Sequence, residues 1–280
     1  MKFDIYNETS QSIRERVSAI NAVTLTESEY HQALNTILRC IDLTTLEGTD
    51  NDKRVIELCN QALLFKKTTN GNTVAAVCVY SPFVQSAKSI LIATGIQVAT
   101  VACAFPSGQL PLHLKLQEVK YAVDQGADEI DMVISRGIFL SGDHQAIIDE
   151  VSEVKRACGV AHLKVILETG ELRTIENIRK ASELAILGGA DFIKTSTGKI
   201  QPAATAEAVV VMLDTIREYY VKTGNHIGIK PAGGIADIED ALLYYKITAA
   251  ICGSEWLNNT HFRIGASRLA GKIHDELKTN

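Results

Sequence analysis

Short apolar runs recur along this chain and alternate with longer stretches in which apolar positions follow a helical period. Several of the runs are continuously apolar, which is typical of parallel strands that are covered on both faces. Eight runs qualify as candidate strands: residues 73–79, 97–103, 129–134, 163–168, 192–197, 227–231, 249–252 and 262–264.

Helical patterns fill the intervals, and the clearest of them end at a glycine, which suits a helix C-terminus. These helices cover residues 112–125, 143–158, 171–187 and 205–223. Eight strands in strict alternation with helices predict an α/β fold of the (β/α)₈, or TIM, barrel type. A doubly wound open sheet is the alternative, because alternation by itself does not close a barrel.

The first 70 residues precede the first clear strand. They carry helical patterns at residues 11–22, 27–40 and about 50–65, with the segment Ile-Asp-Leu-Thr-Thr-Leu at 41–46. We therefore interpret residues 1–70 as an N-terminal helical extension packed on a barrel of residues 71–280, the whole forming one structural domain.

Composition narrows the class of protein. The chain of 280 residues is 46% hydrophobic and 22% charged, as expected for a globular protein with a sizeable core. A net charge of −5 argues against a nucleic-acid partner. No apolar run approaches the roughly 20 residues that span a bilayer. The six cysteines form no CxxC pair, so we expect reduced thiols and a cytoplasmic location.

Two lysines stand in apolar strands. Lys194 lies in the fifth predicted strand and Lys230 in the sixth. A buried ammonium costs several kcal/mol without a partner. Since neighbouring strands lie about 4.8 Å apart, the two would repel each other and favour loss of one proton. A neutral amine is what carbonyl chemistry needs as a nucleophile. The alternative is that both lysines extend to solvent at the strand ends.

Asp131 is flanked by Ile130 and Met132 in an apolar run, so its side chain is expected to point inward. Asp128 and Glu129 precede that run and are expected to face solvent. A buried carboxylate needs a cationic partner, which the two lysines can supply. Asp131 is therefore a candidate general acid/base, or else a purely structural counter-ion. Lys164 is a third lysine in an apolar strand, and we interpret it as an ion-pair partner of Asp131.

Three glycine-bearing strand ends could hold a phosphate group at backbone N–H groups. They are Ser196-Thr197-Gly198-Lys199, Gly233-Gly234-Ile235 and Gly265-Ala266-Ser267. Each motif alone is weak, and the first is not a Walker A loop. The seven histidines show no HExxH motif, and no GxGxxG follows a strand, so neither a metal site nor a nicotinamide cofactor is predicted.

Taken together, these motifs and their order resemble the deoxyribose-phosphate aldolase family over about residues 34–271. The segments that carry the resemblance are Asp-Phe-Ile-Lys-Thr-Ser-Thr-Gly-Lys at 191–199, Leu-Lys-Val-Ile-Leu-Glu-Thr-Gly-Glu-Leu at 163–172, Lys-Pro-Ala-Gly-Gly-Ile at 230–235, and shorter matches at 41–46, 75–80, 105–108, 129–131 and 262–267.

The resemblance implies a class I aldolase on a (β/α)₈ barrel that needs no metal or other cofactor. Such an enzyme reversibly cleaves 2-deoxy-D-ribose 5-phosphate to acetaldehyde and D-glyceraldehyde 3-phosphate, in deoxyribonucleoside catabolism. In the family, the lysine matching Lys194 forms the Schiff base. The lysine matching Lys230 lowers the pKa of that nucleophilic lysine. Asp131 matches the acid/base. Family members are often dimers, so a homodimer is the expected assembly.

The resemblance also implies which residues contact the phosphosugar. Substrate hydroxyl contacts fall at Asp42, Thr44, Cys78 and Lys199, and phosphate contacts at Gly198, Gly233, Gly234, Gly265 and Ser267. Two positions depart from some family members: Ala236 replaces a basic residue and Arg268 a second serine. The C-terminal tyrosine of some members is also missing, since residues 276–280 read Glu-Leu-Lys-Thr-Asn.

Two other functions are compatible with the same fold. A phosphosugar isomerase or epimerase would use Asp131 as a base without a covalent step, and a non-catalytic barrel would only bind the phosphosugar. The paired lysines in apolar strands disfavour both, because neither function needs a neutral amine.

Overall fold

The computed structural model describes residues 1–69 and 71–279. Eight parallel strands form one sheet in the order β7-β6-β5-β4-β3-β2-β1-β8. The strands are β1 (Ile41–Thr44), β2 (Ala76–Tyr80), β3 (Gln97–Ala102), β4 (Glu129–Val133), β5 (His162–Ile166), β6 (Phe192–Lys194), β7 (Gly228–Lys230) and β8 (Ile264–Ala266).

The two ends of this sheet meet. Backbone bridges join Ile229 to Phe262 and Ala232 to Gly265, and the N–H of Gly265 donates to the carbonyl of Pro231 at 2.9 Å. Contact between β7 and the β8 region closes the sheet, which confirms the predicted (β/α)₈ barrel. The open doubly wound alternative is wrong.

Helices surround the barrel. They are α1 (Ser10–Asn21), α2 (Glu27–Arg39), α3 (Asp52–Thr68), α4 (Val84–Leu91), α5 (Leu112–Asp124), α6 (Arg136–Leu140), α7 (His144–Ala157), α8 (Thr169–Leu172), α9 (Ile175–Leu187), α10 (Ala206–Thr223), α11 (Ile238–Cys252) and α12 (Leu269–Thr279), with short 3₁₀ turns at Ser81–Phe83 and Ser254–Trp256. Along residues 1–69 and 71–279, none of them is long and apolar enough to cross a bilayer.

One predicted strand is wrong. Residues 249–252 are the last turn of α11, and the eighth strand is instead β1, in the segment 41–46. A short apolar run cannot be assigned to helix or strand by periodicity alone. The correction makes Lys194 part of β6 and Lys230 part of β7.

The predicted division at residue 70 needs the same correction. Both β1 and α3 fall within residues 1–70, yet β1 pairs with β2 and β8 as a full member of the barrel. Helices α1 and α2 pack on the outside, against α10, α11 and α12. The boundary residue Asn70 and the terminal Asn280 lie outside the described residues.

Side-chain caps explain where several helices begin. Thr9 and Thr26 form capping boxes at α1 and α2, and Thr205 accepts the N–H of Ala208 at the start of α10. The predicted helix at 171–187 is divided, because Arg173 has a left-handed backbone (φ 66°) and Thr174 caps a new helix. The main hydrophobic core lies between the barrel and its helices. Buried polar and charged residues, described next, occupy the barrel interior.

Candidate active site

Lys194 and Lys230 lie side by side inside the barrel. Strand pairing sets them directly opposite each other on β6 and β7. Residues in register on adjacent parallel strands point to the same face, and here that face is the interior. Lys194 is only 3% exposed and Lys230 only 1% exposed, so neither extends to solvent in the resting site.

Asp131 joins the two lysines. Its Oδ2 atom accepts hydrogen bonds from Lys194 Nζ and from Lys230 Nζ, each at 2.7 Å. The two nitrogens are therefore no further apart than twice that distance. Its other oxygen, Oδ1, accepts from Lys164 Nζ at 3.0 Å, which confirms the predicted ion pair between these residues. Asp131 is thus a carboxylate shared by three lysines.

Two further carboxylates lie beside this centre. Asp42 Oδ2 forms an ion pair with Lys230 Nζ at 2.5 Å, and its Oδ1 accepts from the Arg263 guanidinium at 2.6 Å. Glu129 accepts from Arg263 at 2.7 Å and also binds Lys164. All of these side chains are buried. Glu129 is only 1% exposed, so the prediction that it faces solvent is wrong.

The charges in this cluster do not balance if every group is ionised. Four basic groups face three carboxylates, which leaves one surplus positive charge in a buried site. Lys230, Lys164 and Arg263 each contact at least two of the carboxylates. Among the described residues, the one carboxylate in contact with Lys194 is Asp131. Lys194 is therefore the group whose loss of a proton makes the cluster neutral at least cost.

The pKa shifts follow this arrangement. Burial lowers the pKa of Lys194, and the neighbouring Lys230 charge lowers it further, against the opposing pull of Asp131. Burial also acts on Lys230, but Asp131 and Asp42 outweigh it and raise its pKa. Burial would raise the pKa of Asp131, yet the three lysines hold it well below its usual range. The resting site thus favours a neutral Lys194 beside a charged Lys230 and an ionised Asp131.

A cavity of about 210 Å³ opens above Lys194 at the carboxyl ends of the strands. Most of the residues predicted to contact the phosphosugar line it: Thr44, Gly198, Lys199, Gly233, Gly234, Gly265 and Ser267. Arg268 is also in its wall, and Lys199 forms an ion pair with Glu47 at the rim, at 2.9 Å. Asp42 and Cys78 are instead fully buried beside the lysines. Burial raises the pKa of the Cys78 thiol to about 11, so it stays protonated.

Glycine is required where the loops after β6 and β7 touch. Gly233 has a left-handed backbone (φ 86°), and a Cβ added to it would lie 2.7 Å from the Cβ of Ala203 and 2.8 Å from the Cα of Gly198. Only glycine allows this approach without displacing backbone. The two loops consequently form one wall of the cavity.

Glu168 anchors the loop after β6 from below, a contact that sequence reasoning missed. Its buried carboxylate accepts from the hydroxyl of Thr197 at 2.5 Å and from its backbone N–H at 3.3 Å. Thr197 Oγ1 in turn accepts from the N–H of Lys199 at 3.1 Å. These bonds fix the turn that carries Gly198 into the cavity wall.

The chain is similar to known proteins of one family. The family model described as "DeoC/LacD family aldolase" matches residues 36–260. Human deoxyribose-phosphate aldolase is 44% identical over 278 residues, covering 95% of this chain and 87% of the human protein. The mouse deoxyribose-phosphate aldolase is 43% identical with the same coverage.

The chain belongs to the DeoC/LacD aldolase family.

A solved structure supports the same assignment for this aldolase. A deoxyribose-phosphate aldolase candidate from Toxoplasma gondii ME49 superposes with a TM-score of 0.80 at 27% identity, covering 90% of this chain and 97% of that one. A triosephosphate isomerase from Bartonella henselae matches with a TM-score of 0.52 at 15% identity, which shows the barrel fold alone.

Arg263 is the second residue of this aldolase that sequence reasoning missed. It lies between Phe262 and Ile264 in an apolar run, the same pattern that singled out the lysines. The wrong prediction for Glu129 rested on its position at the start of the strand, before the apolar run. Glu129 and Asp131 are two residues apart on β4, and alternate residues of a strand share a face. That spacing was the available indication that both point inward.

Proposed function

We propose that this chain is a class I aldolase that reversibly cleaves 2-deoxy-D-ribose 5-phosphate to acetaldehyde and D-glyceraldehyde 3-phosphate. The observation that carries the proposal is Lys194, a buried lysine with one carboxylate partner that two other lysines already share. Relatives named deoxyribose-phosphate aldolase, at 42–45% identity, support the choice of substrate.

Catalysis begins with the neutral amine. Lys194 Nζ attacks C1 of the open-chain sugar, and the C1 oxygen gains a proton to give a carbinolamine. Loss of that oxygen as water, with one further proton, leaves a protonated imine on Lys194. Asp131 Oδ2, at 2.7 Å from Lys194 Nζ, is in position to stabilise the new positive charge.

Carbon–carbon cleavage follows from the charge on the imine. The C3 hydroxyl loses its proton, the C2–C3 electron pair flows into the iminium, and C3 becomes the aldehyde carbon of the three-carbon product. The enamine that remains has a neutral nitrogen, so Asp131 then has one cationic neighbour fewer and can hold the proton. Lys230 contacts the same Asp131 oxygen and can pass a proton to and from it.

Release reverses the first steps. A proton adds to C2 of the enamine, water attacks the resulting imine, and acetaldehyde leaves Lys194 as a neutral amine. The covalent imine serves as the electron sink, so the proposed mechanism uses no metal ion and no organic cofactor. Lys164 supports the centre by holding Asp131 from its other oxygen.

The cavity above Lys194 is the proposed site for the phosphate end of the substrate. Gly198, Gly233, Gly234, Gly265 and Ser267 would supply the phosphate-binding loops, and Thr44 and Lys199 would contact the sugar hydroxyls. All of them line the cavity, which supports this part of the proposal. Asp42 and Cys78 would contribute from below. Arg268 occupies the wall where some family members have serine, and its charge can compensate for the missing basic residue at Ala236.

The covalent step can be tested by trapping. Borohydride reduction in the presence of acetaldehyde should leave one ethyl group on Lys194, detected by peptide mass spectrometry. We expect the adduct on Lys194 and on no other lysine, because Lys194 is the one whose environment favours the neutral amine. No adduct, or an adduct only at Lys230 or Lys164, would refute the assignment of the nucleophile.

The phosphate loops can be tested separately from the chemistry. Replacing Gly233 by alanine forces a side chain into a left-handed position against Ala203. We expect KM for the phosphosugar to rise by about tenfold, matching a strain of about 1–2 kcal/mol. Trapping of acetaldehyde on Lys194 should be unchanged. Gly142→Ala is the control, since Gly142 is also left-handed but has open space around it; its KM should not move.

Location and assembly are part of the same proposal. The six cysteines are all free and buried, which suits a reducing compartment such as the cytoplasm. The proposed cellular role of the cleavage reaction is deoxyribonucleoside catabolism. A homodimer remains a prediction, which sedimentation analysis of the purified chain would test.

A further inference from the structure

Arg263 and Glu129 form a layer of buried charge beneath the reaction centre, and neither of them has a part in the steps above. The Arg263 guanidinium donates to Glu129 Oε1 at 2.7 Å, to Glu129 Oε2 at 3.1 Å and to Asp42 Oδ1 at 2.6 Å. It also lies over the ring of Phe192, 5.7 Å from the centroid. Glycine at position 228 leaves room for that ring, since a Cβ there would lie 2.2 Å from it.

Glu129 determines where the ammonium group of Lys164 lies. Lys164 Nζ is 2.5 Å from Glu129 Oε2 and 3.0 Å from Asp131 Oδ1. Without the Glu129 charge, Lys164 would have Asp131 as its remaining close carboxylate, with Asp42 at 3.6 Å. Lys164 would then compete with Lys194 for the charge of Asp131.

We propose that Glu129 and Arg263 are positioning residues of this enzyme, which divide the buried charges so that Asp131 Oδ2 is left to Lys194 and Lys230. Their roles rest on the proposed aldolase function. Neither residue touches the cavity above Lys194, so both act through the groups that they hold in place.

The charged and titratable groups that face this layer come from several strands, and the Cys40 thiol, just before β1, also faces Arg263 and Asp42. Glu129 meets Lys164 from β5 and Arg263 from the segment before β8, with Asp42 of β1 nearby. Asp131 of β4 shares the Lys164 ammonium with Glu129. Lys194 meets Asp131 from β4, Lys230 from β7 and Cys78 from β2. The carboxylates favour the protonated form of Lys194 and the cations oppose it.

Opposite changes in charge should therefore move the pH profile in opposite directions. Glu129→Gln removes a negative charge and lets Lys164 draw on Asp131, so the rising limb of kcat/KM should move to lower pH. Arg263→Gln removes a positive charge, so the limb should move to higher pH. Each shift should be about one pH unit, the size expected for a unit charge at about 10 Å in a protein interior. The double variant should return the limb close to the original.

Two controls separate positioning from general damage. Glu129→Asp keeps the charge and should leave the limb in place. Glu150→Gln breaks another buried lysine–glutamate pair, in which Lys115 Nζ lies 2.6 Å from Glu150 Oε1, outside the barrel interior. It should reduce stability without moving the limb. If Glu129→Gln does not fold, the effect of the Glu129 charge can be measured by comparing the double variant with Arg263→Gln, because these two differ only at residue 129.

The proposal is overturned if Glu129→Gln and Arg263→Gln shift the limb in the same direction, or if neither shifts it while Lys230→Leu does. A shift equal in Glu129→Asp and Glu129→Gln would likewise overturn it, because charge would not be the cause. Acetaldehyde trapping on Lys194 of the unmodified protein is run alongside. Its success with unshifted profiles rejects the positioning role alone, whereas its failure rejects the aldolase function itself.

Discussion

The Lys194→Arg variant is expected to lose aldol cleavage, with a fall in kcat on the order of 10⁴-fold or more. Arginine keeps a positive charge beside Asp131 and so preserves the ion pair, but its guanidinium is always protonated and offers no lone pair to a carbonyl. The charge remains and the nucleophile is gone. Aldehyde release, followed in a coupled dehydrogenase assay, measures the loss directly.

This variant also separates the proposed function from its alternatives. An isomerase or epimerase that uses Asp131 as its base would survive Lys194→Arg, and a binding barrel would release no aldehyde even with Lys194 present. Lys115→Arg is the matched control, because Lys115 is equally buried and paired with Glu150 but lies away from the barrel interior. Full activity in Lys115→Arg and none in Lys194→Arg would show that the loss of activity comes from replacing Lys194 in particular, and not from replacing any buried lysine by arginine.

Much of the site could be predicted from the sequence because parallel strands bring residues from distant segments into one layer. Lys194 and Lys230 were placed at matching strand positions by their apolar surroundings, and the register bears this out. A polar residue in an otherwise apolar strand was the useful indication at these positions. The same indication at Arg263 was present in the sequence and was overlooked.

Other features could not be derived from single segments. The strand at 41–44 is short and includes the buried Asp42, whose burial makes sense only once Lys230 and Arg263 are beside it. Residues 249–252 had the composition of a strand, but their helix continues from residues already buried along α11. In both cases the deciding contacts come from parts of the chain that are remote in sequence.

Which of Lys194 and Lys230 has the lower pKa is the feature of the site that is hardest to predict from the sequence. Sequence reasoning relied on repulsion between two lysines, which alone does not say which of them loses its proton. The structure adds the carboxylates: in the part of the chain that it describes, Lys230 is paired with Asp42 and Asp131, whereas Lys194 is paired with Asp131 only. Unequal access to negative charge therefore gives the two lysines opposite pKa shifts.

Lys230→Leu tests this explanation, and we expect it to move the rising limb of the rate profile to higher pH. With Lys230 gone, three carboxylates face three basic groups, so the cluster is neutral only when Lys194 is protonated. The pKa of Lys194 should rise by about two units, the size of one nearby charge in a protein interior. Because the neutral amine reacts, the rate at any pH on the rising limb should fall by up to about 100-fold and recover as the pH increases.

The control for this change is Lys115→Leu, which removes an equally buried lysine from its pair with Glu150. Breaking either pair should cost about 3–5 kcal/mol of stability, so thermal unfolding should respond similarly in both variants. Only Lys230→Leu should shift the pH profile. If the limb stays in place in Lys230→Leu, burial alone lowers the pKa of Lys194, and the second lysine serves proton transfer without tuning the nucleophile.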